Sequence, residues 1–226
     1  MVDLRQKPFY LDDEGVKWVE DTIASMSLEE KVGQLFVQMR HSLDPEEIRR
    51  TLDAYHQGGL RWQGGDRQGV YEQNKTYQEH SRIPLLIAAN CDNGGDGALS
   101  DGTFVATAAE AAAEAAAGGG TQTAYDMGYV AGREASSVGV NWMFNPCADI
   151  FMNWRNTIVN TRAFGDNADQ VIRNIRAYIQ GIHQSNIACC CKHFPGDGVE
   201  ERDQHLVLGV NDLSVEDWDA SFRKVY

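Results

Sequence analysis

The feature that most constrains the fold of this chain is a repeated unit of a short apolar run, a polar loop and a helix-forming segment. Clear apolar runs cover residues 83–89, 140–144 and 187–191, and a further short strand is predicted at 58–62. Residues 32–39 form another apolar run, which could be the end of a helix or a first strand. Strands that alternate with helices favour a parallel sheet with helices packed outside it.

The segments between the apolar runs have the spacing, propensity and capping residues of helices. Ser27 and Glu30 have the spacing of a capping box, and Asp44 followed by Pro45 is typical of a helix start. The stretch 106–117 is almost entirely alanine and glutamate, which favour helix. In chain order the predicted helices cover residues 12–26, 69–81, 106–117, 121–138 and 167–184, with others starting at Ser27, Asp44 and Ser214.

The loops that follow the predicted strands hold most of the polar residues that can do chemistry. Parallel α/β sheets bind their ligands at the carboxyl ends of the strands. Here these loops cover residues 90–97, 149–166 and 192–205, and each is longer and more polar than a simple connection requires. The glycines at 94–97 do not form a phosphate-binding loop pattern, so we expect no nucleotide and no other cofactor.

The loop after the last predicted strand contains the strongest candidates. Lys192 and His193 directly follow 187–191, a run of the right length for a strand buried on both faces. They could donate hydrogen bonds to hydroxyl groups, or form a salt bridge and a core histidine. His205 could transfer protons near neutral pH, and Asp203 could orient its ring. The alternative for this Asp-x-His pattern is a surface feature without function.

Two residues of the loop at 149–166 have two interpretations each. Arg162 lies among asparagine, threonine and glycine residues, where it could clamp a polar ligand or pin its own loop through Asp166. Asp149 could bind substrate or brace that loop, and we favour bracing.

Charge and cysteine content exclude several classes of partner. The net charge of −13 argues against nucleic acid and anionic membranes, because their phosphates would be repelled. The sequence has no signal or transit pattern and no run long enough to span a membrane. The five cysteines include no C-x-x-C, and the run at 189–191 suits a small-residue core better than a disulfide or zinc site. We therefore expect a cytoplasmic protein without a metal.

In combination these segments resemble glycoside hydrolase family 3, in particular its bacterial β-N-acetylglucosaminidase branch. The matching runs include KHFPGDG at 192–198 followed by Asp-Gln-His at 203–205, and NTRAFGD at 160–166. GVNW at 139–142 with Pro146 and Asp149, and PLLIAA at 84–89, match as well. The resemblance extends in consistent order from Ser27 to Val210.

The resemblance implies a (β/α)8 barrel enzyme that hydrolyses terminal β-linked N-acetylglucosamine with retention of configuration. It implies that His205 is the general acid/base, in place of the usual carboxylic acid, and that Asp203 is its partner. Lys192, His193 and Arg162 match sugar-binding positions. The family's nucleophile is an aspartate after the sixth strand.

The sequence departs from the family in the loop after residue 89 and in the loop after residue 191. Asn90 stands where an aspartate commonly binds sugar hydroxyls, and its amide can still bond hydroxyls but lacks the charge. We expect Asn90 to bind the substrate. Asp92 and Asn93 replace an acidic and a small residue, and Asp197 replaces a common histidine.

The number of strand–helix units predicts an incomplete barrel. About five units can be counted, whereas the barrel has eight in about 250 residues. No acidic residue after His205 lies at the end of a buried strand. We expect residues 1–226 to be the N-terminal portion of a single barrel domain, inactive alone, with a C-terminal barrel half as partner if the enzyme is split.

Two other functions remain open. The chain could be a non-catalytic carbohydrate-binding or partner module, because Asn90 replaces an aspartate and the nucleophile segment is missing. It could also belong to a β-glycoside phosphorylase, because a histidine acid/base repels an attacking phosphate less than a carboxylate would.

Overall fold

Five short parallel strands form one sheet in the computed structural model, which describes residues 2–39, 42–61 and 64–226. Each strand pairs with the next one in the chain, so that Leu60 lies opposite both Gln38 and Ile87. The predicted α/β fold with a parallel sheet is confirmed, and the described sheet is open, as in an incomplete barrel. The strands are β1 Val37–Met39, β2 Gly59–Arg61, β3 Leu86–Ala89, β4 Trp142–Met143 and β5 Ala188–Cys189. Trp62, at the end of one predicted strand, lies outside the described residues.

The helices follow the predicted pattern closely. Ser27 and Glu30 form the capping box, and the Asp44 side chain accepts a hydrogen bond from the Glu46 backbone N–H. The apolar run at 32–39 contains both predicted elements, a helix end and a strand. The helices are α1 Asp13–Ser25, α2 Leu28–Gly33, α3 Pro45–Tyr55, α4 Arg67–His80, α5 Ala108–Ala116, α6 Gln122–Ser136, α7 Ala168–His183, α8 Val215–Ala220 and α9 Phe222–Val225. None of these helices has the length and apolar character needed to cross a bilayer.

Helices α6 and α7 approach each other so closely that their backbones touch. A Cβ atom on Gly128 would lie 2.0 Å from the backbone oxygen of Tyr178, and one on Gly181 would lie 2.3 Å from that of Tyr125. Only glycine fits at these two positions. The Tyr178 hydroxyl donates to the backbone oxygen of Cys91, so α7 also fixes the loop that follows β3.

The prediction that the run at 187–191 is buried on both faces is wrong. Ala188 is exposed and Cys189, Cys190 and Cys191 are half-buried. The physical reason is that β5 is an edge strand, with β4 as its only neighbour in the described sheet. Val37, on the opposite edge strand β1, is exposed as well.

Candidate active site

Three loops at the carboxyl ends of the strands meet at Asp92. The Arg162 Nε atom, from the loop after β4, lies 3.0 Å from Asp92 Oδ2. The Lys192 Nζ atom, from the loop after β5, lies 3.8 Å from Asp92 Oδ1. Asn145 donates a side-chain hydrogen bond to the same carboxylate. These four residues form what we call the Asp92 cluster, and its three charged side chains are all at least partly buried.

The charges of the Asp92 cluster depend on one another. Burial lowers the pKa of Lys192, and the negative charge of Asp92 opposes this effect. Burial also disfavours the charged form of Arg162, but the nearby negative groups, Asp92 first among them, together outweigh it and the pKa of Arg162 is raised. Two cations and one carboxylate in a partly buried position can bind several hydroxyl groups in a fixed arrangement.

The loop after β3 is held firmly by distant residues. Asn145 is fully buried, and its Oδ1 atom accepts a hydrogen bond of 2.6 Å from the Cys91 backbone N–H. Gly97 touches the start of the loop, since a Cβ atom there would lie 1.8 Å from the Asn90 backbone oxygen. In the described part of the chain, the buried Oδ1 atom of Asn90 has no hydrogen-bond partner. Asn90, which lies close to Asp92 in the sequence, therefore offers an acceptor that no other group uses.

Asn156 ties the loop that carries Arg162 to the loop that carries Lys192. Its Nδ2 atom donates to the backbone oxygens of Asp197 and Glu200, each at 2.5 Å. Arg162 contacts Asp92 and donates to the backbone oxygen of Ile158, while Asp166 accepts from Asn167. The alternative in which Arg162 pins its own loop through Asp166 is therefore not what the structure has.

Asp149 is fully buried and braces a loop, but the loop is the one after β5. Its Oδ2 atom accepts from the His193 backbone N–H at 3.1 Å and lies 2.7 Å from His193 Nδ1. Its Oδ1 atom accepts from the Asp197 backbone N–H at 2.6 Å. His193 is half-buried rather than a core residue, and its Nδ1 atom is engaged with a buried carboxylate. Its binding of sugar hydroxyls, for which Nε2 is the remaining ring nitrogen, stays a prediction.

One group of potential metal ligands lies beneath the same loop. Ligand atoms of Cys147, Asp149 and His193 are all within 4.8 Å of one another. Burial raises the pKa of the Cys147 thiol well above its usual range, and Asp149 raises it further, so the sulfur keeps its proton. Because the Asp149 oxygens are also taken by hydrogen bonds, these three residues act as a hydrogen-bonded brace.

The sequence spacing of Asp203 and His205 corresponds to a real contact. His205 Nδ1 lies 2.7 Å from Asp203 Oδ1, and the His205 backbone N–H donates to the same oxygen at 2.8 Å. These two bonds, the backbone bond first, lower the pKa of Asp203. The His205 side chain is 73% exposed, which leaves its Nε2 side open to solvent and ligands. Gln204 anchors this loop by donating to Asp197.

Replacing Asp149 with asparagine should destabilise the loop that carries Lys192. An amide cannot accept from three N–H groups as the carboxylate does, so at least one buried donor loses its partner. We expect the free energy of unfolding to fall by about 2–3 kcal/mol. Denaturant unfolding of the full-length protein measures this change. Asp166→Asn, at an exposed carboxylate, is the matched control, and equal stability of the two variants would contradict the brace.

Three residues that bind or position groups in this site were not predicted from the sequence. Asp92 was noticed only as a departure from a family pattern, although an acidic side chain just after a buried strand is itself a signal. Asn145 lies in the corresponding loop directly after β4. Asn156 carries no comparable signal, because its role depends on backbone atoms of a distant loop.

The sequence and structure of this chain match one family throughout most of their length. The model of the glycosyl hydrolase family 3 N-terminal domain matches residues 27–226. A protein from Cellulomonas fimi named β-N-acetylglucosaminidase/β-glucosidase is 41% identical over 226 residues, which are 100% of this chain and 39% of that protein. This chain therefore spans well under half the length of that relative.

Two solved structures have the same architecture. A β-glucoside phosphorylase, BglX, bound to 2FGlc superposes with a TM-score of 0.91 and 36% identity, covering 99% of this chain and 40% of that one. A family 3 β-N-acetylglucosaminidase from Paenibacillus sp. str. FPU-7 has a TM-score of 0.79 and 26% identity, covering 89% of this chain and 39% of that one.

Proposed function

We propose that this chain, which belongs to glycosyl hydrolase family 3, carries the sugar-binding and acid/base part of a retaining β-glycosidase. The observation that carries this proposal is the convergence of Arg162 and Lys192 on Asp92 at the carboxyl ends of the strands, with an Asp203–His205 pair on the same loop system. In this proposal residues 1–226 are the first five βα units of one barrel domain.

The Asp92 cluster binds the hydroxyl groups of the terminal sugar. Asp92 accepts hydrogen bonds from hydroxyls, and Arg162 and Lys192 donate to them. The unpartnered Oδ1 atom of Asn90 supplies another acceptor. The partly buried charges favour these bonds, because water competes less for groups that are shielded from solvent.

His205 transfers the proton in both steps of the reaction. It first protonates the glycosidic oxygen as that bond breaks, and it then takes a proton from the water that releases the sugar. Asp203 fixes the ring through Nδ1 and stabilises its charged form, which leaves Nε2 to face the substrate. The covalent sugar intermediate forms on an aspartate outside residues 1–226.

The substrate is a β-linked N-acetylglucosaminide or glucoside. This class is supported by the name of the Cellulomonas fimi relative, which mentions both sugars. Nothing in the Asp92 cluster selects between them, because hydroxyl-binding groups recognise positions that both sugars share.

Phosphorolysis is the second candidate function. A solved β-glucoside phosphorylase aligns with 99% of this chain. The exposed His205 ring also fits, because it places no negative charge against an incoming phosphate at the acid/base position. The two functions share the sugar-binding roles and the first proton transfer by His205, and they differ in the second step, where phosphate replaces water as the acceptor of the sugar.

The product formed by the full-length protein separates these functions. With 4-nitrophenyl β-N-acetylglucosaminide and β-glucoside, hydrolysis predicts a free sugar whose β-anomer appears first in proton NMR spectra. Adding inorganic phosphate should leave this product unchanged. A sugar 1-phosphate in its place would identify a phosphorylase, and binding without turnover would favour the non-catalytic module.

A further inference from the structure

A second polar cavity lies at the opposite end of the strands from the Asp92 cluster. It is bounded by the end of α2 and by the segments that lead into β2 and β3, so it opens at the amino ends of the strands. Its volume is about 150 Å³. The polar side chains that line it include those of Glu30, Asp53, His56, Gln57, His80 and Arg82.

Gln57 is the side chain that marks this cavity as more than a gap in the packing. It is only 3% exposed, and its Oε1 atom has no hydrogen-bond partner in the described part of the chain. A buried acceptor without a donor lowers the stability of a fold, so such atoms call for an explanation. A ligand that donates a hydrogen bond inside the cavity would satisfy this oxygen.

Gln34, His56 and Ser81 also line the cavity and carry donors, but Gln57 Oε1 accepts from none of them in the described part of the chain. His80 Nδ1 lies 2.8 Å from the backbone oxygen of Thr76. Since a carbonyl oxygen only accepts, Nδ1 carries the proton and Nε2 is an acceptor in the neutral ring. The Arg82 guanidinium is occupied by hydrogen bonds to Glu30 and Ser25.

The charges around the cavity favour a cation. The charge of Arg82 is matched by its ion pair with Glu30. Among the charged residues that line the cavity this leaves Asp53, an exposed carboxylate, so the lining has a net negative charge when the histidines are neutral. Acceptor atoms together with a negative charge are the environment that suits an ammonium group, which carries three N–H donors and one positive charge.

We propose that this cavity is a binding site for a small primary ammonium compound, with Gln57 Oε1 and the Asp53 carboxylate as acceptors. The volume limits the ligand to a few non-hydrogen atoms. The site is separate from the Asp92 cluster, because the two lie at opposite ends of the strands. The proposal that this cavity binds an ammonium compound does not depend on the proposed glycosidase function.

Ethanolamine and ethylene glycol are matched probes, because they differ by an ammonium group in place of a hydroxyl group. Titration calorimetry of the full-length protein should give a Kd on the order of 1 mM for ethanolamine, as expected for so few ligand atoms. Ethylene glycol should bind at least about 10-fold more weakly. Asp53→Asn should reduce ethanolamine affinity by a similar factor, whereas Glu47→Gln, another exposed acid of α3, should not.

Gln57→Leu tests the buried acceptor itself. This substitution should abolish ethanolamine binding, and circular dichroism checks that the variant is folded. If Gln57→Leu does not fold, the Asp53→Asn variant still tests the site. Equal binding of both probes would overturn the ammonium assignment. Absence of ethanolamine binding to the unmodified protein would overturn the site and leave a packing cavity.

Discussion

Replacing Asp92 with alanine should lower kcat/KM of the full-length protein for aryl β-glycosides by about 10²–10³-fold. The substitution removes an acceptor for sugar hydroxyls and leaves two partly buried cations without their shared partner. Lys192 suffers most, because burial lowers its pKa and the charge of Asp92 is the largest effect that opposes this lowering. The loss should therefore appear in both binding and turnover.

The pH profile gives this prediction a second readout. In Asp92→Asn the pKa of Lys192 should fall further, so the charged lysine is lost at a lower pH. The alkaline limb of the kcat/KM profile should then move to lower pH. Asp96→Asn, an exposed acid of the same loop, is the control. Unchanged activity in Asp92→Ala would mean that the Asp92 cluster does not bind the sugar.

The fold could be predicted from local features of the sequence. Capping residues such as Ser27 and Asp44 predicted where helices begin, and the alternation of apolar runs with helices predicted the parallel sheet. The burial of β5 could not be predicted in this way, because burial depends on which elements lie beside a strand. Ala188 is exposed since the described sheet ends there.

The site was predictable where its contacts are short in sequence. Asp203 and His205 are two residues apart, and their side chains do meet. The central role of Asp92 depends on contacts over long separations, because Asn145 and Tyr178 hold Cys91 from 54 and 87 residues away. Such contacts decide which residue of a loop faces the other loops, and no local pattern encodes them.

Replacing His205 with alanine should cause the other large loss of activity. General acid catalysis by a positioned side chain is worth about 10²–10⁴-fold, so turnover of substrates with poor leaving groups should fall by about 10³-fold. Asp203 should not take over this role, because the hydrogen bond from the backbone N–H of residue 205, the largest cause of its lowered pKa, remains in the variant. His183→Ala, at an exposed histidine of α7, is the control.

The dependence of this loss on the leaving group tests the central claim most directly. The measurement is kcat/KM of unmodified protein and His205→Ala with phenyl and 2,4-dinitrophenyl β-glycosides, because kcat/KM reports the first bond-breaking step alone. A good leaving group needs little protonation, so we expect a loss of about 10³-fold for the phenyl substrate and about 10-fold or less for the dinitrophenyl substrate. Equal losses for both substrates would contradict the assignment of His205 as the acid.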